Sequence, residues 1–316
     1  MNHTDKRTSL KEAINRYLKD NISIGLGGFI DTRIPVAATH EIIRHGARSI
    51  TLIEQSGSIC AELLAGAMIL NSNHLSIKRI KLGRYENEAN DENDDIPLLR
   101  YLSDRGMIRL DKTPPGNMTA GFRAAAMGVS FMPVGNRDNS EPERNNSEKT
   151  IKCPFTKKTV RLVPACHPDL SIVHVQASDK RGNSRIFGNL FNCPEIAGAA
   201  ANTIITTEQI IPDSSFSNFP NLTEISSSVV DTVVDQPFGS TPGSCYGHYR
   251  SDRDHLHEFR KIRFDFCRSN NREILQNFYD KYIFGVETFD DFLEEKPYPV
   301  LQKLCQLNEN QPLLLD

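Results

Sequence analysis

The chain reads as an α/β protein with an open, mostly parallel sheet flanked by helices. Three observations predict it. Strand, turn and helix follow one another twice within the first 67 residues, an order that implies right-handed crossovers between parallel strands. Short runs rich in β-branched residues return in the second half, as in Leu170 to Gln176 and Thr203 to Thr207. No repeat of fixed period runs through the chain.

The elements follow in order. Ser9 with Glu12 three residues on is a capping box. It opens a helix in which Leu10, Ala13, Ile14, Tyr17 and Leu18 recur at helical spacing and which stops near Asp20-Asn21. Ile22 to Leu26 alternates as a strand that ends in Gly27-Gly28-Phe29. Ile34-Pro35 leads into a second helix through Ile42 and Ile43. Ser49 to Ile53 is a buried strand closing on Glu54-Gln-Ser-Gly57, and a helix covers Ile59 to Ala67. A helix packed through small residues runs Gly121 to Met127, then Phe131 to Val134 is extended. Thr159 to Pro164 alternates, and Leu170 to Gln176 reads as a fully buried strand. Lys180-Arg-Gly-Asn183 is a hairpin turn, because Gly182 takes a positive φ at little cost. An Ala-rich helix (Ile196 to Ala201) and strands at Thr203 to Thr207 and Val229 to Asp235 precede a loop from Pro237 to Tyr249.

Two polar stretches interrupt this order. Residues 86–95 (ENEANDENDD) read as a solvated loop, because an EF-hand needs a loop glycine that this run lacks. Residues 136–150 form a polar surface excursion. The chain is read as one domain over 1–316, with that excursion at 136–150 and a helical C-terminal part at 255–293, broken at Ser269-Asn-Asn271 and Gly285.

Composition narrows the function. With 37 Lys and Arg against 40 Asp and Glu, the formal charge is −3, so no basic excess exists to release counterions from nucleic acid. No apolar run approaches the roughly 18–20 residues of a membrane span, and residues 1–10 lack an apolar signal core. Seven cysteines in 316 residues are too sparse for a disulfide scaffold. A soluble cytoplasmic chain with reduced thiols is expected.

Gly27 and Gly28 lie where a parallel strand ends, the edge at which open α/β sheets take ligands. Their N–H groups suit an oxyanion, or they make a plain tight turn. The spacing fits neither a dinucleotide fingerprint, since residue 30 is Ile, nor a Walker loop. Glu54 ends the next strand, where a carboxylate serves as nucleophile or base, or caps the following helix. Cys245 and His248 share a loop, but such neighbours need not meet in space. Asp252, Asp254, His255 and His257 lack two-plus-two ligand spacing, and Cys153, Cys166 and Cys193 lack any C-x-x-C. No metal is expected, and an acidic helix N-terminus accounts for the Asp residues.

Taken together, the segments resemble the α subunits of family I CoA-transferases, most closely the glutaconate CoA-transferase type. The resemblance runs from about Leu10 to Leu293. It is carried by Ile24-Gly-Leu-Gly-Gly-Phe29 with Arg33 and Pro35, and by Ala124-Ala-Ala-Met-Gly-Val-Ser-Phe-Met-Pro133. Ile172-Val-His-Val-Gln176, Gly182 through Arg185-Ile-Phe-Gly188, Ile205 to Ile211 and Cys245-Tyr-Gly-His-Tyr249 continue it. The resemblance implies a sugar-isomerase/CoA-transferase fold, with coenzyme A as substrate and no further cofactor. It implies a homologous β subunit in a heterotetramer or larger assembly, which supplies the glutamate that attacks an acyl-CoA thioester. Anhydride and glutamyl-CoA intermediates would follow.

By the same resemblance, Gly27 and Gly28 match the oxyanion loop and Phe29 the acyl-end pocket. Arg33 is placed to reach a substrate carboxylate, and Tyr246 with Gly247 faces the same pocket. Glu54 departs from the family pattern, which has a small residue there. It is either incidental or a nucleophile of this chain's own. The substrates implied are short carboxylic acids, dicarboxylic or 3-oxo. Hydrolysis or decarboxylation of CoA esters, or a non-catalytic ligand-binding role, are the alternatives on this scaffold.

Overall fold

A computed structural model describes residues 5–83, 96–135 and 149–296, together with 301 and 305. The acidic run at 86–95 and residues 136–148 of the polar excursion lie outside them.

The capping box forms as expected: Ser9 Oγ accepts from the Glu12 amide at 3.3 Å and opens α1 (Leu10–Tyr17). Then follow β1 (Ser23–Leu26), α2 (Val36–His45), β2 (Ile50–Glu54), α3 (Ile59–Leu70), β3 (Ile77–Leu82), α4 (Pro97–Asp104) and β4 (Arg109–Lys112). The middle of the chain holds α5 (Pro115–Ala126), β5 (Phe131–Val134), β6 (Lys149–Lys152) and β7 (Thr159–Pro164). The second half adds β8 (Leu170–Val175), β9 (Ala177–Ser178), β10 (Ser184–Arg185), α6 (Cys193–Ala199), β11 (Asn202–Thr207), α7 (Asp213–Asn218) and β12 (Thr232–Asp235). Three helices close it, α8 (Arg253–Ser269), α9 (Arg272–Tyr279) and α10 (Phe289–Glu294), with one π-helical turn at Asp280–Phe284.

Seven strands form one parallel sheet in the order β12-β11-β8-β1-β2-β3-β4. From β1 the chain winds outward through β2, β3 and β4, then returns to the other side of β1 with β8, β11 and β12. The order therefore reverses between β1 and β8. At such a switch point neighbouring crossovers leave on opposite faces, and a crevice opens beyond the carboxyl ends of the strands. The Gly27 turn leads straight into that crevice.

Alternate residues feed two faces. Ile24, Leu52, Leu170 and Ile172 join the larger apolar cluster under α1 to α4 and α8 to α10. Ile53, Val173, Val175 and Ile205 join a smaller one under α5 and α6. All six residues of β8 are buried, as in a strand covered on both sides, and its two polar members, Ser171 and His174, bond Thr203 and Thr206 of β11.

Sequence reasoning passes over β3, β4 and α4. β3 reads IKRIKL and the edge strand β4 reads RLDK, so charges hide their pattern. The Arg79–Asp111 ion pair ties the two strands together, and Arg109 of β4 pairs with the same carboxylate. Buried Glu62 fixes the start of α4: its carboxylate accepts from the Leu98 and Leu99 amides, each at 3.0 Å, and pairs with Arg263 of α8 at 3.2 Å. The Gly182 turn is the hairpin expected, with φ +100°.

Candidate active site

The sheet gathers the nominated residues along one edge through a few long-range bonds. Ser56 Oγ accepts from the Ile30 amide at 2.7 Å, tying the turn after β2 to the turn after β1. The Arg33 amide donates to Ser244 O at 2.8 Å, which adds the loop carrying Tyr246 and Gly247. Gln176, just past β8, completes the frame. Its Nε2 donates to Phe187 O at 3.0 Å and to Tyr246 O at 3.2 Å. Three loops, at 27–33, 187–193 and 244–249, thus converge beyond β1 and β8.

Within this frame the paired glycines are buried, and their amides are unequal. Gly27 N–H donates to Ile172 O at 2.9 Å, one more rung of the pairing with β8. Phe29 N–H donates to Thr32 O at 3.0 Å. Only Gly28 points at a weak acceptor, Cys193 Sγ at 3.2 Å. Of the two amides expected to suit an oxyanion, Gly27's is taken by the pairing of β1 with β8, which leaves Gly28's. Gly28 has φ +86°, and a Cβ there would meet Arg33 O at 2.6 Å, so glycine is required on both counts. Phe29 stacks on Phe191 with ring centroids 4.9 Å apart.

Arg33 is 1% exposed. Its guanidinium donates to Asn189 O, reaches Cys193 Sγ at 3.6 Å and lies over the Phe191 ring. In this conformation it pins the 187–193 loop instead of facing a ligand. Tyr246 is half exposed, its ring beside Gly188, and Gly247 turns the loop at φ +86°.

Glu54 is buried at the end of β2. Ser58 Oγ donates to its Oε2 at 2.8 Å, while Oε1 is enclosed without a partner. Loss of water pushes this carboxyl up to about 8, more than the Ser58 hydrogen bonds pull it down.

Two residues that sequence reasoning did not single out, His174 and Glu208, build a second buried polar group. His174 bonds Thr206 Oγ1 at 2.9 Å and Glu208 Oε1 at 2.6 Å. Glu208 also accepts from Tyr249 OH and, at 2.7 Å, from the Phe238 amide. Burial raises the Glu208 carboxyl, but these donors outweigh it and hold it below the usual range. With Cys245, this is the one group of three possible metal ligands among the described residues. The ring nitrogens of His174 and both Glu208 oxygens already serve these bonds. Burial pushes the Cys245 thiol well up, away from the thiolate that a nucleophile or ligand needs. Asp252 accepts from the His255 amide at 3.2 Å and pairs with Lys296, as a helix cap does.

Next to Ser58 a cavity of about 340 Å³ opens between the Ile30-Asp31 turn, the start of α3 and one face of α8. Its α8 wall carries Arg253, His257, Arg260 and Arg263.

Comparison with known proteins agrees with this geometry. The coenzyme A transferase family model matches residues 7–236. The A subunit of the 3-oxoadipate CoA-transferase of Pseudomonas knackmussii is 29% identical over 289 residues, 90% of this chain and 95% of its own. The A subunit of the glutaconate CoA-transferase of Acidaminococcus fermentans is 29% identical over 308 residues, 92% and 91%. A longer protein of Archaeoglobus fulgidus is 30% identical over 310 residues, and this chain spans 66% of its length. Among solved structures, glutaconate coenzyme A-transferase from A. fermentans superposes with a TM-score of 0.78 over 95% of each chain, at 26% identity. The decarboxylase AibA/AibB C56S variant gives 0.72 at 26% identity, covering 87% of this chain and 99% of that one. No helix among the described residues is long and apolar enough to cross a membrane. A match over residues 7–236, on a sheet whose switch point gathers the glycine loop and its neighbours, means that this chain belongs to the coenzyme A transferase family.

Proposed function

We propose that this chain is the A-type subunit of a heteromeric CoA-transferase that moves CoA between short carboxylic acids, dicarboxylic or 3-oxo. The whole chain acts as one domain, in a heterotetramer or larger assembly with a homologous subunit. Seven free thiols suit the cytoplasm.

The observation that carries this reading is the switch-point crevice, where Gly28 N–H points at a thiol and not at a carbonyl. An oxyanion formed on a thioester is a far stronger acceptor than Cys193 Sγ and would take this donor. Gly27 then serves by its size, since a Cβ would sit 3.2 Å from Val173. Phe29 and Phe191 wall the reacting end of the acyl group beside Gly28, and Tyr246 with Gly247 borders it.

The attacking carboxylate belongs to the partner. Among the described residues, the two buried carboxylates along this edge, Glu54 and Glu208, are unsuited to the task. Glu54 is protonated at neutral pH, and Glu208 is saturated with hydrogen bonds. Attack forms the anhydride with release of CoA thiolate. Return of that thiolate to the glutamyl carbonyl expels the first acid as its carboxylate and leaves the partner's glutamyl-CoA. The second acid's carboxylate attacks that thioester, forming a new anhydride and freeing the thiolate, which takes the new acyl group and releases the glutamate.

The assembled enzyme, given an acyl-CoA and an acceptor acid, is expected to transfer CoA. Release of free CoA or CO₂ without an acceptor would instead favour hydrolysis or decarboxylation, the reading that the likeness to AibA/AibB supports. Gly28→Val drives a side chain into Arg33 O and is expected to lower kcat by about 10²–10³, as for one lost oxyanion donor. Glu54→Gln is expected to assemble and turn over. Inactivity with intact assembly would make Glu54 the nucleophile.

A further inference from the structure

The pocket beside Ser58 has a charge pattern that the site above leaves unused. Three guanidiniums line it against a single carboxylate, Asp31. Asp31 is engaged by Ser251 Oγ, and Arg263 by Glu62. Arg253 and Arg260 donate no hydrogen bond among the described residues; Arg260 lies only over its neighbour Phe264, 5.8 Å from the ring centre. Residues 253, 257 and 260 fall on one helix face, so the Arg253 and Arg260 guanidiniums line the same wall. The opposite wall begins α3, where Ser58 is the N-cap and the helix end adds partial positive charge. Arg33, the arginine nominated from sequence for a substrate carboxylate, is buried and holds a loop.

We propose that this pocket binds the far carboxylate of a dicarboxylic acyl group, with Arg253 and Arg260 as its specificity-determining residues. The inference rests on the reading of the chain as a CoA-transferase subunit. Ile30, on the rim, lies two residues beyond Gly28, so at most about 7 Å of backbone separates them. A short dicarboxylic acyl chain held near Gly28 would have its far carboxylate at this rim. The phosphates of coenzyme A lie a whole pantetheine arm from the sulfur, too far for the same pocket to read them. A planar guanidinium fork matches a carboxylate in two-point contact.

Calorimetry on the full chain tests this with glutarate, its monocarboxylic counterpart pentanoate, and 3′,5′-ADP as a mimic of the nucleotide end. Glutarate is expected to bind roughly tenfold or more tightly than pentanoate, the size of a charge-assisted contact. The double variant R253Q/R260Q is expected to bring glutarate down to the pentanoate level and leave the melting temperature in place. Arg260→Lys, which keeps the charge and loses the fork, is expected to fall between. Equal binding of the two acids, a preference that survives the double variant, or loss of 3′,5′-ADP binding alone would each overturn the proposal. The transfer assay on the assembled enzyme tests the parent reading separately. An enzyme that moves no CoA while glutarate binding stands defeats the transferase reading and not the pocket.

Discussion

Glu54 and Glu208 stand at the same edge of the same sheet, one ending β2 and the other just beyond β11, and both are buried. They end in opposite states. Glu54 has one hydroxyl partner and one enclosed, unpartnered oxygen, and burial raises its carboxyl to about 8. At Glu208 the same burial is outweighed by His174, Tyr249 and the Phe238 amide, so it stays ionised. Burial alone thus does not set charge; the number of donors aimed at the carboxylate does. The Glu208 group is structural in consequence. It ties β8, β11 and the 237–249 loop together, and that loop presents Tyr246.

The largest effect expected from this contrast is at Glu208. Glu208→Ala leaves the Tyr249 hydroxyl, the Phe238 amide and a His174 nitrogen buried without their acceptor. A loss of about 3–5 kcal/mol in urea unfolding is expected, as when one member of a buried pair is removed. Glu208→Gln keeps acceptor capacity and is expected to cost clearly less. Equal losses would mean that volume, and not bonding, is what Glu208 supplies.

Glu54 comes next, and its signature is pH. Its folded value, about 8, lies above the ordinary 4.5. Between those values the folded chain holds a proton that the unfolded chain has released. Stability from Glu54 is therefore complete below pH 4.5 and declines as pH rises through 8, by up to about 1.4 kcal/mol per unit. Thermal melts at pH 5 and pH 8 are expected to show this decline in the wild type and a flatter profile in Glu54→Gln. Parallel profiles would return Glu54 to an ordinary solvated carboxylate.

What the sequence revealed of all this follows from how local each feature is. The Ser9 and Glu12 cap, the Leu170 to Val175 run and the Gly182 turn are set by residues a few positions apart, and they form as read. The position of the glycine bend is likewise local, since it ends a strand. The direction of its amides is not, for the partners are Ile172 and Cys193, far along the chain. Arg33 looks free in a polar turn until the 187–193 loop closes over it. The α8 arginines carry no signal in the sequence beyond lying in or next to a helical C-terminal part. Only the fold sets them beside Ser58. Charged strands such as β4 hide for the same reason: pairing with β3, and not apolar alternation, makes them strands.

Ser58 sharpens the contrast most finely, because it does two jobs. Its hydroxyl caps α3, accepting from the Cys60 amide at 3.2 Å, and donates to Glu54. At pH 5 Glu54 is protonated with or without that donor, so Ser58→Ala is expected to cost only the cap, about 1 kcal/mol. Above pH 8 the wild-type carboxylate is ionised and leans on Ser58, so the same substitution is expected to cost more. The α1 cap offers the control. Ser9 faces an exposed Glu12, and Ser9→Ala is expected to cost a similar amount at both pH values. If urea unfolding gave Ser58→Ala one cost at pH 5 and pH 9, the cap would be its whole role, and Glu54 would owe its state to burial alone.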